Sequence, residues 1–106
     1  MQESVVLSVD ASKSGLGAAC LQDDAAVAFA SRALSNAEAK YGQIAKELLA
    51  AVFACRKFHD FIYGRRVTIE TDHKPMITIV TKPLHAAPAR LQRVLLQLQR
   101  YDLQFV

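Results

Sequence analysis

The stretch GRRVTIETDHKP, residues 64–75 of a 106-residue chain, decides how the rest is arranged. Its centre, RVTIET (66–71), is a β-branched run of strand character, with Gly64 shortly before it and Asp72, His73, Lys74 and the helix-breaking Pro75 directly after it. The preceding sequence is helical. Ser35 and Glu38 form an S-x-x-E capping box, and a helix is predicted from there to about Tyr63, with Gly64 as its stop. Along it Tyr41, Ile44, Leu48, Val52, Cys55 and Ile62 recur on one broad face, a core stripe. Further back, SVVLSVDA (4–11) is a short, nearly continuous apolar run, the pattern of a strand covered on both faces. A strand, a helix and a strand in this order make a crossover. The strand at 66–71 is therefore predicted to lie parallel to the first and beside it, by the right-handed rule.

The remaining segments attach to this unit. SKSG (12–15) and DDA (23–25) are turns around LGAACLQ and before VAFASRAL, which gives a three-strand antiparallel meander. After Pro75, MITIV (76–80) reads as a short helix or an irregular apolar run, and KPLHAAP (82–88) as a loop. ARLQRVLLQLQRY (89–101) is a second amphipathic helix with Leu91, Val94, Leu95 and Leu98 inward, and DLQFV begins a fifth strand. One α/β domain over residues 1–106 accounts for the whole length.

Hydrophobic residues make up 52% and charged residues 22%, a globular balance. No apolar run approaches the roughly 18–20 residues of a membrane helix. The start, MQESVVLSVD, lacks the basic and apolar pattern of a signal peptide, so a cytoplasmic protein, or one inside a particle assembled there, is expected. Cys20 and Cys55 have no partner at zinc-binding spacing and are predicted to be buried free thiols. The net charge of +3 is uneven: residues 1–62 carry six Lys or Arg against seven acids, and residues 63–106 carry seven against three. That bias suits a polyanion partner and suits an ordinary surface equally well.

Three acids fall where chemistry is expected. Ligands of parallel sheet regions sit beyond the carboxyl ends of the strands, where Asp10 and Asp72 lie. By strand alternation Asp10 shares a face with Val6 and Ser8, and Asp72 one with Thr68 and Glu70; both can point toward a helix packed on that face. Glu47 sits at the margin of the helical core stripe, and its neighbours three and four residues away, Gln43, Ile44, Ala50 and Ala51, include no cation. If the three carboxylates meet they cannot all stay ionised unaided, and a divalent cation resolves the repulsion. An all-oxygen donor set suits magnesium, with manganese as a substitute. Two such ions support in-line hydrolysis of a phosphodiester. Ser12, Lys13 and Lys74 are turn residues beside this group, and Arg90 and Arg93 lie on the last helix; all five are candidate phosphate contacts or plain surface residues. His73 and Glu70 are weaker candidates, the first for a general base and the second for an outer carboxylate.

LSVDASKSGLGAACLQ (7–22), the long segment FASRAL to TDHKP (29–75), and ARLQRVLLQLQRYDLQFV (89–106) closely resemble the ribonuclease H domain of gypsy-type LTR retrotransposon Pol polyproteins, where it follows the reverse transcriptase. The motifs carrying the resemblance are D-A-S-x-x-G-x-G-A, a helix with Y-x-x-x-x-x-E, and T-D-H-K-P. The resemblance implies a ribonuclease H-like fold, a mixed five-stranded sheet in the order 3-2-1-4-5 with flanking helices. It implies cleavage of the RNA strand of an RNA:DNA hybrid with two magnesium ions on Asp10, Glu47 and Asp72, beside an adjoining reverse transcriptase domain and within a virus-like particle. Such domains continue past the fifth strand into a helix with a fourth carboxylate; with the chain ending at Val106, the resemblance implies a domain truncated there. A non-catalytic ribonuclease H-like module, structural or hybrid-binding, is the competing expectation.

Overall fold

The computed structural model describes residues 5–71 and 89–106. Five strands form one sheet in the order β3-β2-β1-β4-β5: β1 Val5–Ala11, β2 Gly15–Gln22, β3 Ala25–Ala33, β4 Arg66–Glu70 and β5 Asp102–Phe105. The first three pair antiparallel, while β1–β4 and β4–β5 are parallel. The expected mixed sheet and its order are what the structure has. Consecutive left-handed residues, Asp23 (φ 51°) and Asp24 (φ 68°), make the tight β2–β3 turn.

One face of the sheet carries the core. On β1 the side chains of Val5, Leu7, Val9 and Ala11 are buried, whereas Ser8 and Asp10 are exposed. The expectation that this strand is covered on both faces is therefore corrected. Its two faces are unequal: Leu7 with two valines outweighs Val6 with a serine and an aspartate, so the helices go to the Leu7 side. Against that side lies α2 (Gln43–Lys57), whose Ala50, Ala51 and Ala54 are fully buried, as is Leu48. Three alanines bring the helix close to the strands, and Leu7, Leu48, Val67 and Ile69 fill the layer between. Each such side chain contributes on the order of 1.5–3 kcal/mol by leaving water. Helix α4 (Ala89–Leu98) adds Val94, Leu95 and Leu98 to the same core. Both cysteines are buried free thiols, and burial pushes Cys55 up to about 12.

The helix predicted from Ser35 to Tyr63 is three pieces: α1 (Asn36–Ala39), α2, and α3 (His59–Ile62). Gly42 is the first cause. It stands as the N-cap of α2 with an extended ψ of 162°, which suits a residue that costs about 1 kcal/mol inside a helix. The second break is at Phe58, which leaves the helical region (φ −105°, ψ 23°) as its ring enters the core at 4% exposure. Gly64 does end the segment, at φ +80°.

The capping box is real but closes only one turn. Ser35 Oγ accepts from the Glu38 N–H at 3.1 Å, and Glu38 accepts from the Ser35 N–H at 2.9 Å. Arg32 of β3 adds a two-pronged contact to the same carboxylate, at 2.8 and 3.1 Å. With these partners, Arg32 first, the Glu38 carboxyl is held down to about 2. A depressed folded value gives stability that is present above the ordinary carboxylate range and lost as pH falls through about 2. Glu38→Gln is expected to cost about 1 kcal/mol at pH 7, an amount limited by solvent screening. Denaturation curves of the two proteins should converge as pH is lowered from about 4.5 toward about 2.

Candidate active site

Pairing between β1 and β4 ends at Ser8 and Glu70, so Asp10 and Ala11 on one strand and Thr71 after the other flank an opening at the carboxyl ends of the parallel strands. Glu47 of α2 closes over this opening. Its residue is 4% exposed, and its carboxylate is held at both oxygens: Gln43 Nε2 donates to Oε1 at 2.9 Å, and Thr71 Oγ1 donates to Oε2 at 3.3 Å. Gln43 Nε2 also donates to the Ala11 carbonyl at 3.3 Å. Through these contacts Glu47 is tied to the residue after Asp10 and to the residue before Asp72. Among the described residues no cation pairs with it. A carboxylate removed from water, with neutral donors as its described partners, is an expensive group to keep in a core.

Asp10 stands otherwise than expected. Its side chain is exposed on the face with Ser8, beside a shallow depression that also includes Gly17, Phe29 and Ser31, and α2 packs on the opposite face. Because Asp10 lies two residues past the last β1–β4 pair, its flank toward β4 is open at the strand end. The turn that follows is built by Ser12, whose Oγ accepts from the Gly15 N–H at 3.1 Å while its own N–H donates to the Gly15 carbonyl at 2.9 Å. Gly15 leaves room there, because a Cβ would sit a tight 3.3 Å from the Arg32 carbonyl. Ser12 thus has a structural task, and Lys13 beside it is exposed.

Asp72, His73 and Lys74, with the segments predicted at 76–80 and 82–88, lie outside the described residues. Among the described residues no three of His, Cys, Asp and Glu gather as a metal site. Arg93 is exposed on α4, and Arg90 is on the same helix with its side chain outside the description. Glu70 is exposed. Sequence reasoning missed two residues, Gln43 and Thr71. For Gln43 the signal is its place one helical turn before Glu47, where an amide donor serves as well as a cation.

Residues 1–101 match the model of the RNase H-like domain found in reverse transcriptase. The chain belongs to that family. It is 36% identical over 101 residues to the retrovirus-related Pol polyprotein from transposon 297 of Drosophila melanogaster, covering 95% of this chain and 9% of the polyprotein. To the Pol polyprotein from transposon gypsy of the same species it is 42% identical over 71 residues, 66% of this chain and 7% of that one. This RNase H-like domain therefore spans less than a tenth of the length of these relatives. Solved structures agree on the fold. The foamy viral protease-reverse transcriptase in complex with RNA/DNA hybrid superposes with a TM-score of 0.79 at 21% identity, over 98% of this chain and 15% of that one. RNase H1 from Halobacterium salinarum gives 0.66 at 17% identity, over 97% of this chain and 85% of that one.

Neutralising Glu47 should relieve its burial without disturbing its neighbours. Glu47→Gln is expected to melt no lower than the parent in metal-free buffer, whereas Thr71→Val, which strips a donor from the buried carboxylate, should lose about 1–3 kcal/mol in urea titration.

Proposed function

We propose that this RNase H-like domain hydrolyses the RNA strand of RNA:DNA hybrids during reverse transcription of a retroelement, by two-metal-ion catalysis. The observation that carries the reading is the Glu47 carboxylate, buried and oriented by Gln43 and Thr71 at the opening between β1 and β4, with no cation among the described residues to balance it. A carboxylate so placed fits a divalent cation, and Asp10 and Asp72, which border the same strand ends in sequence, complete an all-oxygen donor set. Asp10, Glu47 and Asp72 would hold magnesium, which when bound supplies an activated water and stabilisation of the leaving oxygen.

The chain's own residues have separate tasks in this reading. Gln43 and Thr71 fix the rotamer of Glu47, so the carboxylate is preorganised and does not reorient when substrate arrives. Asp10, exposed at the strand end, is accessible from solvent. Lys13, Lys74, Arg90 and Arg93 are phosphate contacts, and Ser12 reaches substrate only as part of the turn that it holds. Contacts of this kind read backbone shape, so cleavage should show little base preference. The adjoining reverse transcriptase domain of the same polyprotein is the partner that completes hybrid binding.

The test is cleavage of a hybrid labelled on its RNA strand, in magnesium and then manganese, by the parent, Asp10→Asn and Asp72→Asn. Metal-dependent cuts that fall about 100-fold or more in each variant, with unchanged circular dichroism, are the expected result. Equal cutting by parent and variants would contradict the assignment. A parent that binds hybrid and leaves its RNA intact with either metal would instead point to a non-catalytic module.

A further inference from the structure

We propose that the seam between α2 and α4 is a second binding surface, for single-stranded nucleic acid, distinct from the carboxylate opening. Two adjoining depressions run along this seam and share Val52, Arg56 and Gln97. One continues to Arg32 and Lys57, the other to Arg100 and Tyr101. Arg56, Lys57 and Arg100 are exposed, and among the described residues none forms a salt bridge with a carboxylate. Among the described residues the only acid lining either depression is Glu38, which Arg32 already engages at 2.8 Å. Like charges held together along one trough repel, and a polyanion laid in it removes the repulsion.

Beyond the cations stand aromatic rings. Tyr101 closes the second depression; its hydroxyl lies 2.8 Å from His59 Nδ1, and the Tyr63 ring is 4.9 Å from His59 and 6.4 Å from Tyr101. The three hold one another in place, yet Tyr63 remains 65% exposed. A basic trough that ends on a fixed, open ring is how proteins take single strands: cations follow the phosphates and rings stack on the bases. Duplex bases are already stacked and offer no such plane, and an acidic peptide would use the charges but not the ring. The aromatic end of the trough lies apart from the first surface. Tyr63 and Tyr101 come just before β4 and β5, at the end of the parallel strands opposite Asp10, and Arg56 is about 14 Å along α2 from Glu47.

The experiment reads anisotropy of a fluorescein-labelled dT12 with this chain in EDTA, so the result does not depend on metal binding or cleavage. The parent is compared with an Arg56→Ala, Lys57→Ala, Arg100→Ala triple variant and with Tyr63→Ala, all surface changes that leave the core intact. The triple variant is expected to bind about tenfold more weakly, with a log–log salt slope reduced by about 2, as three lost phosphate contacts require. Tyr63→Ala should weaken binding about fivefold or more and leave the slope unchanged. Unchanged affinity in both variants would overturn the proposal. So would the absence of parent binding, equal binding of a poly-glutamate of the same charge, or dT12-induced amide shifts that cluster around Asp10 and Lys13.

Discussion

Burial of the Glu47 carboxylate is the constraint around which the described structure is organised. An ionised group loses several kcal/mol of hydration on entering a core, and two neutral donors return only part of it. Its place therefore requires Gln43 one turn earlier on α2, Thr71 just after β4, and the Ala11 carbonyl at the end of β1, which accepts from Gln43. These three positions come from the three members of the β1–α2–β4 crossover. The right-handed connection that makes β1 and β4 parallel neighbours is also what brings their carboxyl ends under the first turns of α2.

Packing keeps that arrangement stiff. Ala50, Ala51 and Ala54 let α2 sit close on the sheet, and Leu7, Leu48 and Ile69, all fully buried, leave little freedom for the helix to slide. A shift of the helix would move Glu47 away from Thr71 and Gln43 away from the Ala11 carbonyl at once. Polar precision at the strand ends is thus maintained by apolar contacts below them.

Much of this was legible in the sequence, for identifiable reasons. That β4 lies parallel to β1 and beside it followed from the β-branched run at 66–71, Gly64 before it and one helical segment in between, since a crossover has a fixed hand, whereas the full order of five strands came with the family resemblance. The third acid's position at the core margin followed from helical periodicity. Other features were not legible. Gly42 interrupts a segment whose apolar stripe continues past it, and periodicity does not register a single extended residue. The run at 4–11 reads as nearly continuous and apolar, although only the Leu7 side meets helices among the described residues, so the face that Asp10 shares with Ser8 is exposed where a helix was expected. The Arg32–Glu38 pair joins β3 to a cap six residues on, and Thr71 meets Glu47 across 24; neither spacing has a local signature. Asp72 and the segment after it lie outside the described residues.

The central claim is that Glu47 and Asp10, though carried on different elements, serve one cation site. Titration of substoichiometric Mn2+ into the 15N-labelled chain tests it most directly, because paramagnetic broadening reports proximity to the ion whether or not any substrate is cleaved. Early and simultaneous loss of the amide signals of Asp10, Ala11, Glu47 and Thr71, abolished by Asp10→Asn, is the predicted result. Broadening that begins instead at the Asp23–Asp24 turn, or that reaches Asp10 without Glu47, would contradict the account.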